Sequence, residues 1–304
     1  MIERIGFPCV MHSSKRSTNH GFRLANLSRE KLSRAVRTNL DDMEFILGWM
    51  DAHQMRLFRI GSSLVPFASH PDMDLDWQTM VADRLANLGK TYRKKDFRFS
   101  LHPGQYNVLN SENPEVVQKT VAELAYSCTV LELMGLDASH KVVLHGGCRC
   151  GDMDKAVDRL SREVDNLPQR IRSRLVLEND ERIFTPEHIL TVSRRCGVPA
   201  VFDIHHHRFH PGETPLPELM PQIRETWREP DGRPKLHLSS RRPDARHGAH
   251  ADTVEAADVR ELCDATPFDF DLMIEAKHKE VAVQQAMQAA RDHGCLDDGR
   301  REGA

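Results

Sequence analysis

The segment Arg174–Asp203, RLVLENDERIFTPEHILTVSRRCGVPAVFD, decides the fold. It opens on a short apolar run, Arg174–Leu177, that reads as a strand and delivers Glu178 at its end. Pro186 then follows Thr185 as an N1 proline follows its cap. Gly197 stands where a C′ glycine ends a helix. A second apolar run, Pro199–Phe202, ends at Asp203. The order is strand, helix, strand, the unit of a parallel sheet.

The same alternation runs along the whole chain. Further strands are predicted at Arg4–Phe7, Arg56–Ile60, Arg98–Leu101, Lys141–Leu144, Pro234–Leu238 and Leu272–Ile274. Ser28 is placed to cap a helix reaching about His53. Between Glu115 and Met134 the apolar residues Val117, Val121, Leu124, Cys128 and Leu131 fall on one helical face. Lys279–Arg291 reads as a closing helix. Eight strands alternating with helices predict an α/β fold, a single (β/α)8 TIM barrel. The doubly wound alternative would want a glycine-rich phosphate loop after an early strand, and no such motif is present. The expected domain is 1–294, with a disordered tail over 295–304.

Composition narrows the class. Of 304 residues, 42 are Lys or Arg and 45 Asp or Glu, a net charge of -3, so the chain is not a globally basic nucleic-acid coat protein. With 39% hydrophobic and 29% charged residues it is no disordered chain. No run approaches a membrane span. The start, Met1–Pro8, has no apolar signal core, which predicts a cytoplasmic protein with no membrane partner. The seven cysteines form no CxxC pair and are expected to be reduced, partly buried thiols; Cys148-Arg149-Cys150 is a weak metal signal.

Barrel enzymes carry their chemistry at the C-terminal ends of strands. Here those ends read His102, His145, Glu178, Asp203 with His206, His237 and Glu275. Any one alone reads as a hydrogen-bonded rim residue. Together, ionisable groups ending apolar strands are costly unless paired, and they make a ready divalent-metal rim. Imidazole with carboxylate and no thiolate suits zinc, manganese or iron. Seven or more ligands, with Glu178 and Asp203 able to bridge, imply two or three ions. Such clusters serve in-line phosphoryl displacement. His250 follows the seventh strand by a short loop and can reach the same rim. His205 is expected to point elsewhere, and His207 to face DNA or to support a ligand. Lys235 shares a strand face with His237. It reads either as paired with a carboxylate or as a lysine depressed in pKa or chemically modified. No Ser or Cys nucleophile with a positioned base is recognisable.

Eight segments carry a resemblance: Gly6–Cys9, Phe58–Gly61, Pro66–Pro71, Leu101–Tyr106, Val143–Gly147, Leu177–Arg182, His237–Ser240 and Ile274–Lys277. In this order, over residues 2 to 280, the chain resembles the UV damage endonuclease family. The resemblance implies a TIM barrel related to the type IV apurinic endonucleases, with a metal cluster and a DNA-binding groove on the C-terminal rim. It implies a metal-dependent DNA repair endonuclease that nicks immediately 5′ of UV photoproducts, cyclobutane pyrimidine dimers and 6-4 photoproducts among them. It implies a three-ion divalent cluster, manganese first, with magnesium, zinc or cobalt as alternatives. One ion would sit on His102, His145 and Glu178. A second would sit on Glu178, Asp203, His237 and Glu275. A third would sit on His206 and His250, with Lys235 nearby at a position carboxylated in the family. The catalytic roles would fall to Glu178, Lys235 and Glu275. Gln105 and Tyr106 match the pair that wedges into the duplex opposite the lesion. The implied partner is double-stranded DNA carrying UV lesions, with the enzyme acting as a monomer at the nucleoid and with no obligate protein partner.

Three departures stand out. Phe7 replaces a frequent tyrosine, which would keep lesion stacking without the hydroxyl. Val10-Met11 fills a commonly polar stretch. Cys148-Arg149-Cys150 lies where small residues are expected. Charge fits DNA: from Ser13 to Arg37 seven basic residues, Lys15, Arg16 and Arg23 among them, face one acid, a local balance of +6. Arg233, Lys235, Arg241, Arg242 and Arg246 against Asp244 make a second basic cluster. The competing readings are an apurinic-site endonuclease, a metal-dependent sugar isomerase on the same barrel, and a catalytically inactive DNA-binding module.

Overall fold

A computed structural model describes residues 1–242 and 245–296. Eight parallel strands close a barrel in chain order: β1 (Ile2–Pro8), β2 (Leu57–Arg59), β3 (Arg98–Leu101), β4 (Lys141–His145), β5 (Leu175–Glu178), β6 (Ala200–Asp203), β7 (Lys235–Leu238) and β8 (Phe270–Ile274). The helices are α1 (Arg29–Ala52), α2 (Trp77–Arg93), α3 (Pro114–Leu133), α4 (Met153–Asp165), α5 (Gln169–Arg172), α6 (Pro186–Cys196), α7 (Ile204–Phe209), α8 (Leu216–Thr226), α9 (Ala256–Ala265) and α10 (Lys279–Asp292). This is the (β/α)8 barrel that the alternation predicts.

Local chemistry starts and stops these elements. The Ser28 side chain accepts from the Lys31 N–H and caps α1. Gly197 ends α6 in the left-handed region at φ 67°, which glycine enters without a Cβ penalty. Gly6 serves a different need. A Cβ there would lie 1.6 Å from the Leu57 carbonyl oxygen, so only glycine lets β1 and β2 pair this closely.

Phe7, Phe58, Phe99, Phe202 and Phe270 are fully buried in one continuous core. Burying each such side chain stabilises by roughly 1.5–3 kcal/mol. Ion pairs reach into the core as well. Arg98 donates to Asp271 Oδ2 at 2.7 Å and Arg4 to Asp271 Oδ1 at 3.2 Å. Register then builds the rim: His145 pairs with Glu178 across β4–β5, and Asp203 with His237 across β6–β7.

The cysteines depart from expectation. Cys148 is bonded to Cys150, and Cys263 to Cys295, leaving Cys9, Cys128 and Cys196 free. Cys150 takes a left-handed backbone at φ 45°, turning the loop so that the Cys148 and Cys150 Cα atoms stand 5.5 Å apart. Cys263 meets Cys295 because α9 and α10 pack together. Asp244 and most of the expected tail, from residue 297 on, lie outside the described residues. Among the described residues no helix is long and apolar enough to cross a membrane.

Candidate metal centre

Two donor groups form at the C-terminal rim. His102, His145 and Glu178 make one, and Glu178, Asp203, His237 and Glu275 the other, with the ligand atoms of each within 4.8 Å of one another. Glu178 belongs to both and is fully buried. Its Oε2 lies 2.8 Å from His102 Nε2 and 3.7 Å from His145 Nε2, while its Oε1 lies 2.5 Å from His237 Nδ1. One carboxylate therefore faces three imidazoles from three other strand ends.

The neighbouring strands hold these groups in place. Asn179 clamps Asp203 twice: its Nδ2 donates to the Asp203 carbonyl at 3.0 Å and its Oδ1 accepts from the Asp203 N–H at 2.9 Å. Asp203 Oδ1 in turn caps α7 by accepting the His206 N–H at 2.8 Å. Asp203 Oδ2 is buried with no hydrogen-bond partner, and so is His145 Nδ1.

Electrostatics follow from burial against charge. Burial raises the Glu178 pKa, but His237, His145 and His102 outweigh it and hold the carboxyl well below its ordinary range. Glu275 is likewise held well below its ordinary range, with Arg59 and His237 outweighing burial. Burial pushes His145 down to about 4. At His206 burial is overcome by Asp203, Glu178 and Glu275, which lift it to about 9.

This donor set fits divalent ions. Three carboxylates converge out of water, an arrangement that calls for cations. Arg59 already answers that demand: its Nη2 donates to Glu275 Oε1 at 2.5 Å and lies 3.0 Å from His237 Nε2. Sequence reasoning missed Arg59 and Asn179. The available signal was a charged residue inside Leu57-Phe58-Arg59, the only such residue in that strand.

His206 and His250 approach less closely. Their ring centroids are 6.2 Å apart, the His205 ring stacks on His250 at 4.7 Å, and Ser239 Oγ contacts His250 Nδ1 at 2.7 Å. Among the described residues no third donor joins the pair in a close group. His205 Nε2 contacts the Gly248 carbonyl at 3.2 Å, and His207 packs on Phe202. Lys235 lies two residues before His237 on β7, and its charged surroundings are Arg98, Asp271, Arg59 and Lys141. Of the two readings of Lys235, the structure shows no carboxylate hydrogen-bonded to it: Nζ is buried without a hydrogen-bond partner, and burial, then Arg98, Arg59 and Lys141, outweigh Asp271 and push its pKa well down.

The expected DNA contacts divide. Asn107 N–H closes a turn onto the Gly104 carbonyl at 2.9 Å, and Tyr106 projects from it 80% exposed beside the exposed Gln105. Lys15 and Arg23 are exposed. Arg16 is tied back to Asp42 at 2.7 Å and lies over the Phe45 ring. Phe7 corrects the sequence reading: it is fully buried, edge-on to Phe58 at 6.0 Å, because its side chain points into the core, so it has no face for a base. The second basic cluster also needs correcting. Arg233 precedes β7 and sits at the opposite end of the barrel with Glu3 and Asp269, and Lys235 is buried. Arg241 and Arg242, which follow β7, remain exposed at the rim.

A sequence profile of the family described as UV-endonuclease UvdE matches residues 9–297. The chain belongs to the UV damage endonuclease family. A UV DNA damage endonuclease from Bacillus cereus is 32% identical over 267 residues, covering 86% of this chain and 84% of that one. The crystal structure of SacUVDE superposes with a TM-score of 0.91 at 30% identity, covering 96% of this chain and 99% of that one. Endonuclease IV from Thermus thermophilus, at TM-score 0.56 and 16% identity over 96% of this chain and 98% of that one, shares the fold. Family membership makes the chain an endonuclease of DNA repair acting on UV damage.

Proposed function

We propose that this UV damage endonuclease cuts the phosphodiester immediately 5′ of a UV photoproduct, at a cluster of three divalent ions with manganese preferred. The observation that carries the reading is Glu178, one buried carboxylate shared between two donor groups. His102, His145 and Glu178 would hold one ion, and Glu178, Asp203, His237 and Glu275 the second. His206 and His250 would hold a third, less enclosed. Ions bound there supply Lewis acidity for in-line displacement, activating the attacking water and taking up charge on phosphorus. The chain supplies the rest. Glu178 sets the spacing between the two groups. Arg59 holds Glu275 toward His237. Asn179 fixes the Asp203 backbone. Gln105 and Tyr106 stand outside the rim as the wedge into the distorted duplex, and Lys15 and Arg23 contact phosphates. Cyclobutane dimers, 6-4 photoproducts and other helix-distorting lesions are the substrates.

Lys235 fits a carbamate, as the family resemblance implies. Burial and the surrounding cations push its pKa well down, which favours the neutral amine; that amine would attack carbon dioxide, forming an N–C bond and releasing one proton to solvent. The anion would then sit among Arg98, Arg59 and Lys141, three cations against the one Asp271 carboxylate, replacing an unpartnered amine.

End-labelled UV-irradiated duplex incubated with the protein and manganese tests the reading. Cleavage one bond 5′ of the photoproduct, lost on chelation and restored by manganese, is expected. Cleavage confined to abasic sites would replace it with the apurinic-endonuclease reading. Intact-mass measurement tests Lys235: the mass of one carbon dioxide, absent from Lys235→Arg, is expected, and an unmodified lysine overturns the carbamate.

A further inference from the structure

The loop between β4 and α4 carries chemistry that the phosphodiester reaction does not use. It begins directly after His145 and contains Cys148-Arg149-Cys150, bonded sulfur to sulfur. Both cysteines are half-exposed and Arg149 between them is exposed, so a thiol reagent can reach the bond. A neighbouring arginine favours thiolate over thiol, the form that undergoes exchange.

The loop is also tied to the wedge. Asn110, fully buried, donates through Nδ2 to the Cys148 carbonyl at 2.8 Å and accepts the Cys148 N–H through Oδ1 at 2.9 Å. Arg159 Nε holds the Asn110 carbonyl at 2.8 Å. Asn110 lies on the same β3–α3 connection as Gln105 and Tyr106. The turn at Gly104–Asn107 closes on itself, so the end of that connection at Asn110 is where the Cys148 backbone bears on its position. Cys150 is held left-handed at φ 45°, a region that a non-glycine residue leaves when nothing holds it there. The Cys148–Cys150 bond closes the short ring that contains this residue.

We propose that Cys148 and Cys150 are a reversible redox modification site, opened by a protein or small-molecule dithiol, and that opening loosens the grip on lesion DNA. This rests on the proposed function for its DNA readout. In the opening step a thiolate of the dithiol attacks one cysteine sulfur, forming a mixed disulfide and breaking the Cys148–Cys150 bond. The second thiol of the reductant then displaces the cysteine. Two electrons and two protons pass to Cys148 and Cys150, and the reductant leaves as its own disulfide. Cys148 Sγ lies 3.7 Å from the Asn110 carbonyl, so the new thiol has an acceptor at hand. Cys150 is then free to relax, and the Cys148–Asn110 pairing loses its covalent support. His145 stays in place because β4 pairs with β5 at Glu178.

The test uses the full chain in oxidised and dithiothreitol-reduced forms. Peptide mapping after alkylation should show Cys148 and Cys150 protected before reduction and modified after it. Affinity for a UV-irradiated duplex should fall about three- to tenfold on reduction, the scale of leaving one loop to be ordered on binding. Nicking at saturating DNA should be unchanged. The double variant Cys148→Ser/Cys150→Ser should bind at the reduced level under both conditions. It retains Cys263 and Cys295, so a redox response persisting in it would assign the effect to that pair and overturn the proposal. Free alkylation of Cys148 and Cys150 under oxidising conditions, or equal affinity in both wild-type forms, would overturn it as well. Absence of nicking on any UV-irradiated duplex would instead count against the proposed function, and the alkylation result would stand apart from it.

Discussion

Arg59 Nη2 donates to Glu275 Oε1 at 2.5 Å while lying 3.0 Å from His237 Nε2, so one guanidinium touches two residues of the same donor group. Arg59 is buried and its Nε has no partner. A fixed cation thus offsets part of the carboxylate charge before any divalent ion arrives. Arg59→Gln would leave Glu275 with His237 alone at 3.2 Å to offset its largely buried charge, at a cost of up to about 3–5 kcal/mol. Thermal unfolding of the chelated protein should show this loss, and manganese should restore much of it because bound ligand stabilises the folded state. Equal losses with and without manganese would mean that Arg59 acts only in packing.

Glu178→Gln removes the shared carboxylate but keeps its shape. A neutral amide is a poor bridging ligand, so nicking should fall by more than about 100-fold and bound manganese should drop. Circular dichroism should report an intact fold. Wild-type turnover at saturating manganese would remove Glu178 from the centre.

His206 gives the pH dependence its sign. Its pKa in the metal-free fold is about 9, above the ordinary value, so it is protonated at neutral pH. The stability this contributes is fully present below the ordinary histidine pKa and is lost as pH rises through about 9. Serving as a ligand requires the neutral ring, so manganese binding should release a proton and tighten as pH rises toward that value. Calorimetry in buffers of different ionisation enthalpy measures the release. His206→Asn should reduce it; an unchanged proton count would place the third ion elsewhere.

Tyr106 is 80% exposed on a tight turn, its ring lying over Gly104 with most of its surface open to solvent. A stacked aromatic is worth about 1–3 kcal/mol per base, so Tyr106→Ala should weaken UV-damaged duplex binding by about 5- to 150-fold. Undamaged duplex should barely respond. Paired titrations at one salt concentration decide between a lesion probe and a general DNA contact.

The basic segment responds in two parts. Lys15 and Arg23 are exposed, whereas Arg16 is spent on Asp42 and Phe45. Replacing Lys15 and Arg23 with Ala should lower the slope of log affinity against log salt by about 2, at about 0.9 per phosphate contact. Arg16→Ala should leave the slope unchanged and lower the thermal midpoint instead. A slope change for Arg16→Ala would show that it leaves Asp42 to contact DNA.

Much of this was legible in the chain itself. Short apolar runs, each ending in His, Asp or Glu, determine the barrel and its reactive rim, because a parallel strand carries its period and its end in local sequence. Ser28, Pro186 and Gly197 mark helix boundaries by chemistry that reaches only a few residues. Family membership follows from motifs of the same local kind. Other features depend on residues far apart in the chain. Phe7 reads as a stacking face until the closed barrel turns it into the core. Arg233 reads as a rim cation until the direction of β7 puts it at the other end. Arg59 meets Glu275, and Lys235 falls within the field of Arg98, only because barrel closure brings β2, β3, β7 and β8 around one axis. Local sequence sets which groups are charged and where strands end. Which charges meet, and which are left buried without a partner, is decided by the closure of the barrel, since desolvation and Coulomb energy depend on distances in space.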